Sequence, residues 1–217
     1  MTSILFPKCP QQVPARGSVL SRALFKRLYS LAGWSVQGEI PDLPKAVAIF
    51  APHTSNIDGW HAFLAIFGLG IQIQVLGKHS LFKPPFRHFL DWVGIMPVDR
   101  SSPHGLTQQV IQRIQTQDKI WVGIAPEGTR LHASKIRSGF YQIALGANVP
   151  IVIFSIDYQQ KILYCRGHYH LTGDYESDLA HILQQYEDHF YPKHLHRLSV
   201  PLQKQLKSDA KTAYHLR

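Results

Sequence analysis

The run Ala51-Pro52-His53-Thr54-Ser55-Asn56-Ile57-Asp58 places a histidine and an aspartate five positions apart, directly after the apolar stretch Val47-Ala48-Ile49-Phe50. An imidazole held by a carboxylate can take a proton from an alcohol near neutral pH. The carboxyl end of a strand is where open α/β sheets carry such groups. On a continuous helix a five-residue step turns through about 140°, so the two side chains would point apart. They meet only if His53 stands in the turn before a helix and Asp58 in its first turn. Ser55 as N-cap, with Asp58 at the third helical position, favours that arrangement. The same placement gives Asp58 a second reading, as a capping carboxylate drawn to the helix dipole. With thirteen histidines in the chain, the spacing alone does not separate the two.

A second polar turn, Ala125-Pro126-Glu127-Gly128-Thr129-Arg130, follows the apolar run Ile120 to Ala125 as His53 follows Ala46 to Phe50. Two such turns at neighbouring strand ends converge on one crevice. Gly128 lets backbone approach a ligand closely, and Arg130 offers a planar fork suited to phosphate. The competing reading is a surface turn with a solvated Glu–Arg pair. A third strand end, Gly94 to Val98, delivers Asp99 and Arg100, either a further phosphate contact or an exposed turn. His168 with His170, and His194 with His196, lack a third ligand at a diagnostic spacing; they read as surface histidines, with no metal expected.

The elements that must position these turns alternate along the chain. Ser18 to Ala32 reads as an amphipathic helix, with Leu20, Leu24, Leu28 and Leu31 on one stripe, Arg22 and Lys26 opposite, and Arg27 at the flank. The stripe either covers the sheet or lies on an anionic membrane. Gly33, Gly38, Pro41 and Pro44 mark a turn-rich connection into the strand at Ala46 to Phe50. Helices are expected over Trp60 to Leu69, Lys83 to Val93, Thr107 to Gln117, Ser138 to Leu145, Asp174 to His189, and in the basic tail after Pro201. Strands are expected over Ile71 to Leu76, Gly94 to Val98 and Ile120 to Ala125, with Ile151 to Ile156 and Lys161 to Cys165 pairing as a hairpin. The fold class is therefore α/β: a mainly parallel mixed sheet flanked by helices, with an N-terminal amphipathic helix. The expected divisions are a loose leader at 1–16, a membrane-proximal helix at 17–33 and a single α/β domain at 34–217.

Composition narrows the partners. The 217 residues are 45% hydrophobic and 17% charged, enough for a large core and too apolar for global disorder. A net charge of +9 suits a polyanion: a membrane surface, a phosphorylated substrate or nucleic acid. No nucleic-acid motif or basic run with interleaved aromatics appears, so a nucleic-acid-binding module is the weaker class. Cys9 and Cys165 make neither a disulfide framework nor a zinc cluster, and the setting expected is cytoplasmic. No apolar run approaches the roughly 18 residues of a transmembrane span, so membrane contact is expected to be peripheral, at the cytoplasmic face.

The blocks His53-x4-Asp58, Asp99-Arg100, Glu127-Gly128-Thr129-Arg130 and Val149-Pro150-Ile151-Val152 occur in that order. Together they resemble the PlsC-type glycerolipid acyltransferases, the lysophosphatidate acyltransferase-like superfamily, from about Trp34 to Tyr158. The resemblance implies His53 as general base on an acceptor hydroxyl and Asp58 as its orienting partner. It implies an acceptor site shaped by Glu127, Gly128, Thr129 and Arg130, with Arg100 and Arg130 near a phosphate and Lys78 also contributing. It further implies acyl-CoA or acyl-carrier protein as donor, a lysolipid acceptor such as 1-acylglycerol-3-phosphate, and no cofactor. The chain departs from the family pattern at Lys78-His79-Ser80-Leu81, where an acidic residue is common, and at Ile153, where proline is usual; both bear on acceptor choice. No Gly-x-Ser-x-Gly elbow occurs, so direct transfer is expected rather than a serine acyl-enzyme. The alternatives are a thioesterase using water, or transfer to a non-glycerol lipid.

Overall fold

The computed structural model of the protein describes residues 6–78, 82, 84, 86–98 and 105–206. Its elements run α1 (Val19–Leu31), β1 (Ser35–Gln37), β2 (Lys45–Ala51), α2 (Asn56–Leu69), β3 (Ile73–Lys78), α3 (Phe86–Val93), β4 (Ile95–Val98), α4 (Gly105–Thr116), β5 (Ile120–Ile124), α5 (Gly139–Ala147), β6 (Ile151–Asp157), β7 (Ile162–Tyr169), α6 (Tyr175–Gln184), a 3₁₀ turn (Leu195–Arg197) and α7 (Val200–Gln203). The strands form one seven-stranded sheet in the order β1-β7-β6-β2-β5-β3-β4. All pairs are parallel except the β6–β7 hairpin. This is the mainly parallel α/β sheet with a late antiparallel pair and an N-terminal helix that the alternation of segments implies.

The central strands are apolar without a break because both faces are covered. On β2, Val47, Ile49 and Ala51 face a core shared with Val110 and Ile114 of α4, Phe140 and Ile143 of α5, and Ile182 of α6. Ala46 and Ala48 face the other core, with Tyr29 of α1 and Ala65, Ile66 and Leu69 of α2. Trp121 of β5 is fully buried there, its indole N–H donating to Leu43 O at 2.9 Å.

Packing removes one reading of the α1 stripe and corrects two expectations. The leucine stripe of α1 does not cover the sheet: Leu20 and Leu31 are 82% and 77% exposed, and Leu24 and Leu28 are also exposed. The helix is docked by its other stripe. Tyr29 is fully buried, Phe25 stacks on Phe67 of α2 at 4.9 Å, and Arg22 Nε donates to Arg16 O at 2.9 Å. The two aromatic rings supply the apolar contact, and the half-buried Arg22 and Lys26 on that side lie along the protein.

Residues 6–16, expected to be loose, are packed. Val13 is buried, and the backbone of Pro14 and Arg16 exchanges hydrogen bonds with Gln72 and Gly70 at 2.7 and 2.8 Å. The Arg16 guanidinium lies 4.0 Å over Phe67 and donates to the last carbonyls of α3, at Trp92 and Val93. The connection after Gly33 also holds a strand, β1, which pairs with β7 in parallel. Three residues are too few to show alternation, so only the edge of β7 reveals it.

Element ends differ from expectation where caps decide them. Helix α2 starts at Asn56 because Ser55 caps it, and α6 stops at Gln184; α7 covers the start of the basic tail, and the tail beyond Leu206 lies outside the described residues.

Candidate active site

Strands β2 and β5 are neighbours in register, Ile49 opposite Ile124, so the two polar turns leave the sheet side by side. After Ala51 the chain turns through a cis Ala51–Pro52 peptide bond and enters α2 at its N-cap, Ser55. Asp58 is the N3 residue of that cap and only 5% exposed. Its Oδ2 accepts the N–H groups of Thr54 and Ser55 at 2.6 and 2.7 Å. His53 lies in the turn before the helix and folds back, with Nδ1 3.7 Å from the same Oδ2.

The cap and the dyad are thus one device: the carboxylate that satisfies the helix start also faces the imidazole. At 3.7 Å the pair is longer than a hydrogen bond. Burial lowers the His53 pKa from its ordinary value; Asp58 opposes that shift and Arg130 adds to it. The ring therefore stands neutral at pH 7, with Nε2 carrying no protein hydrogen bond among the described residues.

The second turn supports the first from behind. Glu127 is 2% exposed, and its Oε2 accepts the backbone N–H of His53 at 2.9 Å. Burial pushes its pKa up to about 8, the His53 N–H pulling the other way and the Asp58 charge adding to the rise. The carboxyl is therefore a neutral acid at pH 7, and no surface Glu–Arg pair exists. Gly128 adopts φ +66°, and a Cβ there would stand 2.9 Å from Arg137 Cγ, so the turn favours glycine. Thr129 Oγ1 accepts the Leu131 N–H at 3.2 Å. Arg130 is exposed and hydrogen-bonds Asn56 Oδ1, one residue past the N-cap. Lys78 ends β3 beside Val98. Its side chain and the whole of Arg100 lie outside the described residues.

Further residues of the site carry no legible signal in the sequence. The Tyr158 hydroxyl donates to Asp58 Oδ1 at 2.7 Å from a hundred positions away. Burial first, then the bond to Asp58, raises its pKa well above the ordinary value, so it stays a donor. Its ring packs edge-on against Trp34 and His61, which stack on each other at 4.0 Å. His53 and Asp58 also line an apolar cavity of about 140 Å³, walled by Phe50, Ala62, Phe63, Ile66, Val75 and Gly123. The histidine pairs 168/170 and 194/196 sit ring to ring at 5.5 and 5.8 Å. Among the described residues, no three His, Cys, Asp or Glu gather as a metal site would need.

The sequence profile of the Acyltransferase family matches residues 35–157, which hold both polar turns and Asp58. No curated protein sequence matches the chain. Among solved structures, the chain is similar to the 1-acyl-sn-glycerophosphate (LPA) acyltransferase PlsC from Thermotoga maritima, with a TM-score of 0.51 and 19% identity over 74% of this chain and 72% of that one. At that identity the likeness is one of fold. The family match spans more than half of the chain and contains the dyad, and the chain belongs to the Acyltransferase family.

Proposed function

We propose that this acyltransferase moves a fatty acyl group from a thioester donor, acyl-CoA or acyl-carrier protein, to the hydroxyl of a lysophospholipid-like acceptor. The expected acceptor is 1-acylglycerol-3-phosphate, as for PlsC, the 1-acyl-sn-glycerophosphate acyltransferase of similar fold. The observation that carries the reading is a neutral His53, faced by Asp58 at Nδ1 and with no Nε2 partner among the described residues, on the wall of an apolar cavity. The cavity is smaller than the few hundred Å³ of a typical ligand pocket, and suits part of one acyl chain.

In this mechanism Nε2 takes the acceptor's hydroxyl proton as its oxygen attacks the thioester carbonyl. The tetrahedral intermediate collapses, the C–S bond breaks, and the imidazolium returns the proton to the leaving thiolate. Asp58, fixed by two backbone N–H groups and Tyr158, supports the imidazolium charge. Arg130, with Arg100, holds the acceptor phosphate. Neither cysteine competes as nucleophile: burial raises both thiols, Cys165 to about 11, so little thiolate exists at pH 7.

Among the described residues, no helix is long and apolar enough to cross a membrane. The exposed Leu20, Leu24, Leu28 and Leu31, with Arg27 exposed beside them, suit α1 to lying on an anionic lipid surface at its cytoplasmic face. His53→Ala tests the chemistry. Thioester-dependent acylation of lysolipid should fall by about 10²–10⁴-fold in a folded variant, and full retention would overturn the base assignment. Equal thiol release with and without lysolipid would point to hydrolysis instead.

A further inference from the structure

The segment after α6 closes over the carboxyl rim of the sheet. Where β2 leaves the sheet at Ala51, Tyr191 takes the next place beside β6: it bridges Asp157 in parallel, and its backbone exchanges hydrogen bonds with Tyr158 and Ile156 at 3.0 and 3.2 Å. Residues 193–197 are thereby laid against the His53 turn. The His194 N–H donates to Thr54 Oγ1 and Arg197 Nη1 to Thr54 O, both at 3.3 Å. Lys193 Nζ stands 5.8 Å from the centre of the Tyr158 ring, whose hydroxyl holds Asp58. Arg130 reaches the same turn from the other polar turn, at Asn56. Cations from two segments distant in sequence thus bracket residues 53–56, and residues 193–197 lie beyond the stretch the family profile matches.

Lys193 and Arg197 bring two positive charges to this turn, with His194 and His196 between them. Among the described residues, the ion pairs are His53–Asp58 and Arg87–Asp91, so no carboxylate pairs with Lys193 or Arg197. The two acids of the site form no ion pair with these cations: Asp58 accepts hydrogen bonds from Thr54, Ser55 and Tyr158, and Glu127 is buried against the His53 backbone. Burial, then Arg197, His196 and Lys193, depress the His194 pKa. Crowded like charge costs the folded state free energy through self-repulsion, and an anion bound there would relieve it. Lys193 and His196 are exposed, and Arg197 spends one arm on Thr54, leaving the rest of its fork for a ligand.

We infer that Lys193, His196 and Arg197 form an anion-binding flank beside His53 that takes a phosphate group of a bound substrate. Which substrate carries that phosphate rests on the acyl-transfer reading: a phosphomonoester on the acceptor, or the phosphates of a CoA donor. Binding alone tests the flank without turnover, so its result stands apart from the His53→Ala result. Glycerol 3-phosphate and CoA are titrated calorimetrically into the full chain, wild type against Lys193→Glu, with circular dichroism to check the fold. Affinity for at least one probe should fall by about tenfold or more, equivalent to about 1.4 kcal/mol, and Lys193→Gln should lose less. Loss for glycerol 3-phosphate alone assigns the flank to the acceptor, and loss for CoA alone assigns it to the donor. If Lys193→Glu is unstable, the Lys193→Gln, His196→Gln double variant replaces it under the same criterion. Undiminished binding of both probes by a folded variant, or no binding of either by the wild type, overturns the inference.

Discussion

Replacing Glu127 by glutamine should make the protein's stability less sensitive to alkali, and the size of the effect follows from the burial of one carboxyl. Folding raises the Glu127 pKa from 4.5 to about 8, chiefly through burial. Below pH 4.5 the group is protonated in both states and contributes no pH dependence. Between 4.5 and 8 the unfolded chain releases the proton while the folded chain keeps it, so the folded state binds more protons and stability falls as pH rises. Each pH unit in that window costs about 1.4 kcal/mol, or up to about 5 kcal/mol by pH 8. Glutamine has nearly the same shape, never ionises, and can accept the same His53 N–H through its amide oxygen. Urea unfolding at pH 5 should therefore find the two proteins close, and at pH 9 Glu127→Gln more stable by several kcal/mol. Its transfer activity at pH 7 should survive, because the wild-type carboxyl is already neutral there. Glu127→Ala, by contrast, strands the His53 N–H at a cost of about 1–3 kcal/mol and should lose activity. A stability difference independent of pH from 5 to 9 would refute the buried neutral acid. A folded but inactive Glu127→Gln would show that the carboxyl acts on substrate directly.

Three further outcomes follow from the same geometry. The acid limb of kcat/KM should lie below pH 6.5, because burial lowers the His53 pKa and the base works only unprotonated; a limb above 7 in a pH–rate profile would contradict the neutral ring. Tyr158→Phe keeps the packing against Trp34 and His61 but removes the donor to Asp58 Oδ1. It should lower kcat about tenfold with little change in KM, and move the acid limb upward as more negative charge faces His53; an unchanged profile would leave Tyr158 a packing residue only. Leu24→Asp alters an exposed position, 56% accessible, so melting should shift by less than about 0.5 kcal/mol while co-sedimentation with anionic liposomes falls; undiminished binding would remove the α1 stripe from the membrane surface.

Local signals reach as far as one turn of backbone. Ser55 and Asp58 write the helix start directly into the chain, and the arithmetic of a five-residue step requires His53 to lie ahead of it, where it is found. The unbroken apolar runs of β2, β5 and β6 announce strands covered on both faces, and the ordered blocks announce the family. The leucines of α1 leave two roles open because an amphipathic pattern names two faces without naming the neighbour, and here Phe25 and Tyr29 meet α2. Glu127 misleads: a charged residue in a polar turn reads as exposed until β5 sets it beneath the His53 backbone.

Sequence by itself determined the α/β alternation, the capped helix start at Ser55 and Asp58, and the ordered blocks of a family of acyltransferases. All of these depend on neighbours along the chain or on residue order. Only the tertiary structure decided that Tyr158 anchors Asp58, that Glu127 holds His53 from behind, and that Lys193 and Arg197 flank the same turn. Their hydrogen bonds join segments about 75 to 140 residues apart. They exist because β2, β5 and β6 are adjacent in the sheet, an adjacency set by long-range packing that no local pattern encodes.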